Sequence, residues 1–205
     1  MSDQMRRWGQ PDVDLYASDR VRLPDSAALE ELRGDLMRAA YQRRNVTLDS
    51  GVTQPYYFDK YLIAARPAIL RRLARFLAAR VPHEADRVAA PTLGAVVLGA
   101  AVSLESGLPL AIVRSERPDH TPHGERDVEG GLYRGETVCL IEDVVVTGTR
   151  AAAAVQRLRG VGAIVTSVVS VVDCERAADA RLADLDVKYE PLFRYSALAR
   201  TEVSA

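Results

Sequence analysis

The sequence has little of what marks secreted, membrane-bound or nucleic-acid-binding proteins. It contains two cysteines among 205 residues, and both Cys139 and Cys174 fall in predicted buried strands without the spacing of metal ligands. We interpret them as small core hydrophobes, which fits a reducing cytoplasm. The N-terminus lacks the apolar core of a signal peptide, and no apolar run approaches the length of a membrane span. A net charge of −1 gives no bulk reason to expect a nucleic acid or an anionic membrane as partner.

Alternating strand and helix patterns predict an α/β fold with an open, mostly parallel sheet and helices on both faces. The first helix is predicted to begin at Asp25 or Ser26 and to run to about Arg44. The predicted strands lie at 87–90, 110–113, 131–141, 163–172 and 186–190. Later helices are predicted at 66–80, 150–159 and 175–184, with another that ends at 106. We predict an N-terminal extension at 1–24 and a single domain at 25–205.

The chain is organised around residues 138–150. An apolar strand is predicted to end at two carboxylates, Glu142 and Asp143, and to lead into the turn Thr-Gly-Thr at 147–149. An alanine-rich helix follows and is stopped by Gly160. Because ligands of open α/β sheets bind beyond the carboxyl ends of the strands, this segment lies where a ligand is expected.

The chemistry of this segment suits a sugar phosphate. The turn and the first helical residues offer backbone N–H groups and the positive end of the helix dipole to a phosphate. Gly148 permits close approach or a positive φ, and the threonine hydroxyls add donors. Glu142 and Asp143 can accept hydrogen bonds from sugar hydroxyls, beside positive charge that grows on the sugar carbon. The alternative is an ordinary strand–turn–helix whose acids cap the helix or face water.

The segment resembles the phosphoribosyl diphosphate (PRPP) motif of type I phosphoribosyltransferases. Four stretches in order resemble the orotate phosphoribosyltransferase family: 46–51 with 55–59, 90–94, the polar loop from 114 to 130, and the PRPP motif itself. In the second stretch, Ala-Pro-Thr-Leu-Gly looks like the family's short loop under the diphosphate. In the third, the long polar loop looks like the family's mobile catalytic loop, and loops of that length are usually functional or disordered.

The resemblance implies a type I phosphoribosyltransferase fold, with a five-stranded parallel core at about 66–190 and a small N-terminal hood at about 25–65. It implies attack by a ring nitrogen, by resemblance that of orotate, on C1 of PRPP, with release of diphosphate and formation of orotidine 5'-monophosphate for pyrimidine biosynthesis. Mg²⁺ is expected to bind through PRPP, with no direct protein ligand. A homodimer is implied in which one subunit's loop reaches into the other's site.

The resemblance also assigns the site residues. Arg114, His120 and Asp143 are the expected catalytic residues. The expected substrate-binding residues come from the hood, the two loops and the PRPP motif: Tyr57, Phe58, Thr92, Leu93, Arg117, Glu142, Asp143, Val146, Thr147, Gly148, Thr149 and Arg150.

Five positions depart from the family's usual pattern. The family usually has lysine where this chain has Asp49, Ser115 and Pro118. It usually has a threonine that contacts the base at the position of Val146, and an arginine that binds the orotate carboxylate at the position of Cys174. Orotate binding then depends on a cation from another position, since a buried carboxylate needs a partner. The candidates are Arg117, Arg126 and Arg176. Transfer to a different heterocyclic base, and a PRPP-binding regulator without turnover, are the alternative functions.

Overall fold

The computed structural model describes residues 25–47, 53–54, 56–91, 93–114 and 127–199. Its N-terminal elements are α1 (Ser26–Ala40), β1 (Tyr41–Gln42), β2 (Val46–Thr47), β3 (Thr53–Gln54), β4 (Tyr57–Phe58), α2 (Lys60–Ala64) and α3 (Pro67–Ala78). Asp25 caps α1 as predicted, because its Oδ1 accepts a hydrogen bond of 2.7 Å from the backbone N–H of Ala28. α1 ends at Ala40, before the predicted end near Arg44, because the next two residues form β1 and pair with β4.

The remaining elements form one mixed sheet and its helices. In chain order they are β5 (Arg87–Ala90), α4 (Leu93–Ser106), β6 (Leu110–Val113), β7 (Val128–Glu129), β8 (Thr137–Val145), α5 (Thr149–Gly160), β9 (Ile164–Asp173), α6 (Ala178–Ala183), β10 (Lys188–Arg194) and α7 (Tyr195–Ala199). The order across the sheet is β10-β9-β8-β5-β6-β7. Five strands are parallel, as predicted, and β7 adds a short antiparallel edge beside β6.

Helices cover both faces of the sheet, which buries apolar side chains on each side. One hydrophobic cluster joins α1, α3 and α4 to the sheet, and a second joins α5 and α6 to the other face. The two cysteines are buried and free as predicted, although Cys174 lies just after β9. Burial raises the pKa of the Cys139 thiol to about 12. Among the described residues, no helix combines the length and apolar character needed to cross a bilayer.

Candidate active site

Glu142 and Asp143 lie inside β8 rather than after it, which corrects the predicted strand end. Pairing with β9 continues to Val145, which lies opposite Asp173. On the other side of β8, β5 ends at Ala90. The carboxyl end of β8 therefore extends past β5, and the acid pair, Glu142 and Asp143, borders the crevice in which open α/β sheets bind ligands.

Asp143 is buried between α2 and α4. Its Oδ1 accepts a hydrogen bond of 2.6 Å from the backbone N–H of Val144. Its Oδ2 lies 2.9 Å from Lys60 Nζ. The two groups form an ion pair without a well-directed hydrogen bond. A Cβ atom on residue 94 would collide with this oxygen, so Gly94 leaves the space that the carboxylate occupies. The sequence contained no signal that Lys60 and Gly94 would meet at Asp143.

Glu142 precedes Asp143 on β8 and is 3% exposed, so its carboxyl group is removed from water beside another acid. Burial first, and the Asp143 carboxylate second, raise the pKa of Glu142 to about 8. Lys60, the backbone N–H of Asp143 and Arg150 oppose this shift. At neutral pH Glu142 therefore keeps its proton in the folded chain, where it can donate a hydrogen bond as well as accept one.

Glu142→Gln is expected to remove a pH dependence of stability. The folded-state pKa of Glu142, about 8, exceeds the ordinary value of 4.5, so unfolding between these values releases a proton and wild-type stability falls as the pH rises. Glutamine stays neutral throughout. Thermal melts should therefore coincide for variant and wild type at about pH 4, and the variant should melt higher at about pH 8.

The matched control is Glu84→Gln, which changes an exposed glutamate and should leave the pH dependence of melting as in the wild type. A constant difference between Glu142→Gln and the wild type at every pH would contradict the prediction.

The turn after β8 has the geometry that the sequence predicted. Gly148 adopts a positive φ of 73° and α5 begins at the next residue. The hydroxyls of Thr147 and Thr149 lie 3.0 Å apart and are hydrogen-bonded. Both threonines are exposed, as is Arg150, while Val146 is half-buried. The first turn of α5 and two hydroxyl groups therefore face the solvent beside the acid pair.

This turn rests on α6. A Cβ atom on Gly148 would lie 3.1 Å from Ala178 Cα, so the two segments meet at backbone distance. Arg181 Nε donates a hydrogen bond of 2.9 Å to the carbonyl oxygen of Thr147. These contacts with α6 fix the position of the turn. No sequence pattern connected this helix with the site.

The segment after β9 is also held in place. Asp173, fully buried, accepts hydrogen bonds from the Glu175 backbone N–H and from Arg194 Nη1, each of 2.9 Å. Glu175 in turn accepts from the backbone N–H and the hydroxyl of Ser196. Glu175 and Ala177 both have positive φ values, 58° and 67°, a conformation that side chains disfavour and that surrounding contacts must maintain.

An aromatic stack lies beside this segment, one residue away from the predicted aromatic pair. Tyr56 stacks on Tyr195, with ring centroids 3.9 Å apart, and on Tyr41, with centroids 6.1 Å apart. Burial and the nearby Cys174 raise the pKa of Tyr56, and the positive charge of Arg176 opposes the shift. Tyr195 lies outside every motif of the sequence, so no pattern indicated it.

The predicted aromatic residues of the base site have different surroundings. Phe58 is 9% exposed and belongs to the hydrophobic cluster of α1, α3 and α4. Tyr57 is half-buried, with the guanidinium of Arg44 4.6 Å from its ring centroid. Of the two, only Tyr57 presents part of its ring to solvent.

Arg114 follows β6 at the end of the described strand. Its Nη1 lies 3.2 Å from Glu129 Oε1, and its carbonyl oxygen accepts a hydrogen bond from Arg157. β5 separates β6 from β8, so one strand lies between Arg114 and the strand of the acid pair. Leu93, the first residue of α4, is 71% exposed. Thr92, Arg117 and His120 lie outside the described residues, as do Asp49, Ser115, Pro118 and Arg126.

Comparisons with known proteins agree with this geometry. Residues 62–195 match the family model described as "Phosphoribosyl transferase domain". The orotate phosphoribosyltransferase of Natronomonas pharaonis is 38% identical over 151 residues, which are 74% of this chain and 85% of that protein. The orotate phosphoribosyltransferase of Haloquadratum walsbyi is 37% identical over 173 residues, 84% of this chain and 93% of that protein.

Two solved structures extend the similarity to the fold. Leishmania donovani UMP synthase matches with a TM-score of 0.75 at 30% identity over 89% of this chain, which spans 40% of that longer protein. Mycobacterium tuberculosis orotate phosphoribosyltransferase matches with a TM-score of 0.72 at 25% identity, over 83% of this chain and 98% of that one.

Proposed function

The chain belongs to the phosphoribosyltransferase family, and from this premise we propose that it transfers ribose 5-phosphate from PRPP to orotate. The products are diphosphate and orotidine 5'-monophosphate, in the synthesis of pyrimidine nucleotides. One observation carries the proposal: the buried acid pair of β8 leads directly into a Thr-Gly-Thr turn at the start of α5. Relatives named orotate phosphoribosyltransferase, at 38% and 37% identity, support orotate as the acceptor.

The acid pair and the turn divide the work on PRPP. The turn binds the 5'-phosphate through backbone N–H groups and the hydroxyls of Thr147 and Thr149. The protonated Glu142 and the Asp143 carboxylate bind the ribose hydroxyls. As diphosphate departs, the sugar carbon becomes cation-like, and the anionic Asp143 stabilises it without reorganising. Arg114 and His120 stabilise the charge that gathers on the leaving diphosphate.

Mg²⁺ enters with PRPP in this proposal. The described residues contain no group of three or more His, Cys, Asp or Glu side chains that could hold a metal ion. We expect the ion to be held mainly by phosphate oxygens and water, as magnesium in phosphate chemistry usually is. When bound there, the ion neutralises charge on the diphosphate.

The orotate carboxylate needs a cation, and Arg176 is our choice among the candidates. Its guanidinium acts on the pKa of Tyr56, whose ring lies in the aromatic stack beside the segment after β9. Arg176 is half-buried and stands two residues after Cys174. A planar base and its carboxylate would find an aromatic surface and a guanidinium there, which suits both groups.

A panel of bases tests the proposed function. The purified chain is mixed with PRPP, Mg²⁺ and either orotate, uracil or a purine base, and diphosphate release is measured. We expect release with orotate and orotidine 5'-monophosphate as the product. Release only with another base would replace the acceptor, and tight binding of PRPP without release would indicate a regulator.

We propose further that the chain forms a cytoplasmic homodimer through α4, without a nucleic acid or a membrane as partner. The exposed face of α4 carries only apolar residues, Leu93, Val97, Ala100 and Leu104. Their spacing of four, three and four residues is that of a seam between packed helices. A two-fold axis would pack this seam against itself, since such interfaces use the same patch on both subunits.

Leu104→Glu is expected to dissociate the dimer. Leu104 is 87% exposed in the single chain, and a glutamate at this position would bring like charges together across the two-fold axis. Sedimentation or light scattering should show a dimer for the wild type and a monomer for the variant. Ile164→Glu, which changes an apolar residue that is 52% exposed in β9, is the control and should remain dimeric. A dimeric Leu104→Glu protein would contradict the proposed interface.

A further inference from the structure

A lysine from the N-terminal elements reaches the acid pair in the centre of the sheet. Lys60 is the first residue of α2, and Asp59 caps this helix by accepting hydrogen bonds from the backbone N–H groups of Tyr61 and Leu62. The cap orients the first helical turn and with it the direction of Lys60. Its Nζ lies 2.9 Å from Asp143 Oδ2, and the two side chains are 21% and 9% exposed.

The ion pair borders an apolar pocket. Ile63, Leu70 and Leu98 are among the residues that line this pocket together with Lys60 and Asp143. Away from water, opposite charges attract strongly, but each charge alone is unfavourable. The ammonium group of Lys60 is therefore the counter-ion that the buried Asp143 carboxylate needs.

Few other charges bear on the pair. Glu142 precedes Asp143 on β8, and Lys60 lowers the pKa of Glu142 more than Arg150 of α5 does. α4 packs against Asp143 through Gly94 and carries no charged residue from 93 to 104. α3 and β9 line the pocket with leucine and valine side chains. Within the described part of the chain, Lys60 is thus the cation that forms an ion pair with Asp143.

We propose that Lys60 is a positioning residue for the transfer reaction: its ammonium group holds the Asp143 carboxylate in one orientation before PRPP binds. This rests on the proposed function. The carboxylate is held at both oxygens, by the Val144 N–H and by Lys60, so it is preorganised for the positive charge that develops on the sugar. Lys60 lies two residues after β4, which contains the predicted base-site aromatics Tyr57 and Phe58. The ion pair with Asp143 therefore also connects β4 to the acid pair.

Lys60→Met tests this, since methionine keeps much of the chain length without the charge. We expect kcat to fall roughly tenfold, since misplacing a group that stabilises developing charge costs turnover. KM for PRPP should change less. Lys60→Arg, which keeps the positive charge, should restore much of kcat. Lys188→Met is the matched control: it removes the only other lysine in the sequence, which pairs with Glu190 on the edge strand.

The outcomes separate this proposal from the proposed function. An active wild type whose kcat is matched by Lys60→Met overturns the role of Lys60 alone. A lower kcat that stays equally low in Lys60→Arg also overturns it, because a cation at this position should restore turnover. A wild type that releases no diphosphate from PRPP with any base overturns both.

A second measurement uses protein that keeps Lys60, so its result does not depend on whether Lys60→Met folds. Reductive methylation with ¹³C-formaldehyde labels the two lysines of the unsubstituted protein, and Lys188→Met assigns the signals. We expect the Lys60 signal to move in Asp143→Asn, while the Lys188 signal keeps its position in that variant. A Lys60 signal that ignores Asp143→Asn would overturn the proposal.

Discussion

Asp143→Asn is expected to lower kcat by about two to three orders of magnitude, with a smaller change in KM for PRPP. Asparagine has the same shape and keeps the hydrogen bond from the Val144 N–H, but it carries no charge. The loss therefore falls on the step in which positive charge grows on the ribose. Steady-state rates of diphosphate release and calorimetric binding of PRPP separate the two effects.

The control for this variant is Asp86→Asn. Asp86 accepts a hydrogen bond of 2.8 Å from the backbone N–H of Thr137, where β8 begins, at the end of the strand opposite to the acid pair. This change should leave kcat within a few-fold of the wild type. A value of kcat for Asp143→Asn equally close to that of the wild type would refute the role of the carboxylate at the ribose.

Local patterns in the sequence were sufficient for much of the fold. The strands at 87–90 and 110–113 were predicted with the observed bounds, because each is a short apolar run between clear breaking residues. The positive φ of Gly148 followed from the need for a tight turn between a strand and a helix. The bounds of these two strands and the conformation of Gly148 depend on neighbouring residues, which is why they could be predicted.

The parts that were missed depend on contacts between distant segments. β8 runs on through the acid pair because β9 continues to pair with it, and polar residues at a strand end gave no sign of this. Lys60 meets Asp143 only because α2 packs near α4, and glycine at 94 leaves the room. Tyr195 joins Tyr56 from the far end of the chain. Such pairings are tertiary facts, and no local periodicity encodes them.

These contacts explain how one site can depend on several elements. The turn at 147–149 is supported by α6, Asp143 by α2, and the segment after β9 by the start of α7. Rigid support of this kind places charged and polar groups before the substrate arrives, which is how preorganised sites stabilise developing charge. Variants that disturb the support should therefore change binding or turnover without touching the substrate.

Gly148→Ala is expected to weaken PRPP binding and also to destabilise the fold. Its φ of 73° costs an alanine about 1–2 kcal/mol. The new Cβ atom would lie 3.1 Å from Ala178 Cα, so the turn must move away from α6. Because the 5'-phosphate is bound by backbone N–H groups of this turn, we expect KM for PRPP to rise about tenfold or more, with a smaller effect on kcat.

Gly135→Ala is the matched control for this prediction. Gly135 also has a positive φ, 86°, but a Cβ atom there meets no other atom within 4 Å. Chemical denaturation should show a similar backbone cost of about 1–2 kcal/mol for both variants, with an added loss for Gly148→Ala from the contact with Ala178. Only Gly148→Ala should raise KM for PRPP. An equal rise in both variants would mean that lost stability, rather than displacement of the turn, controls the binding of the phosphate.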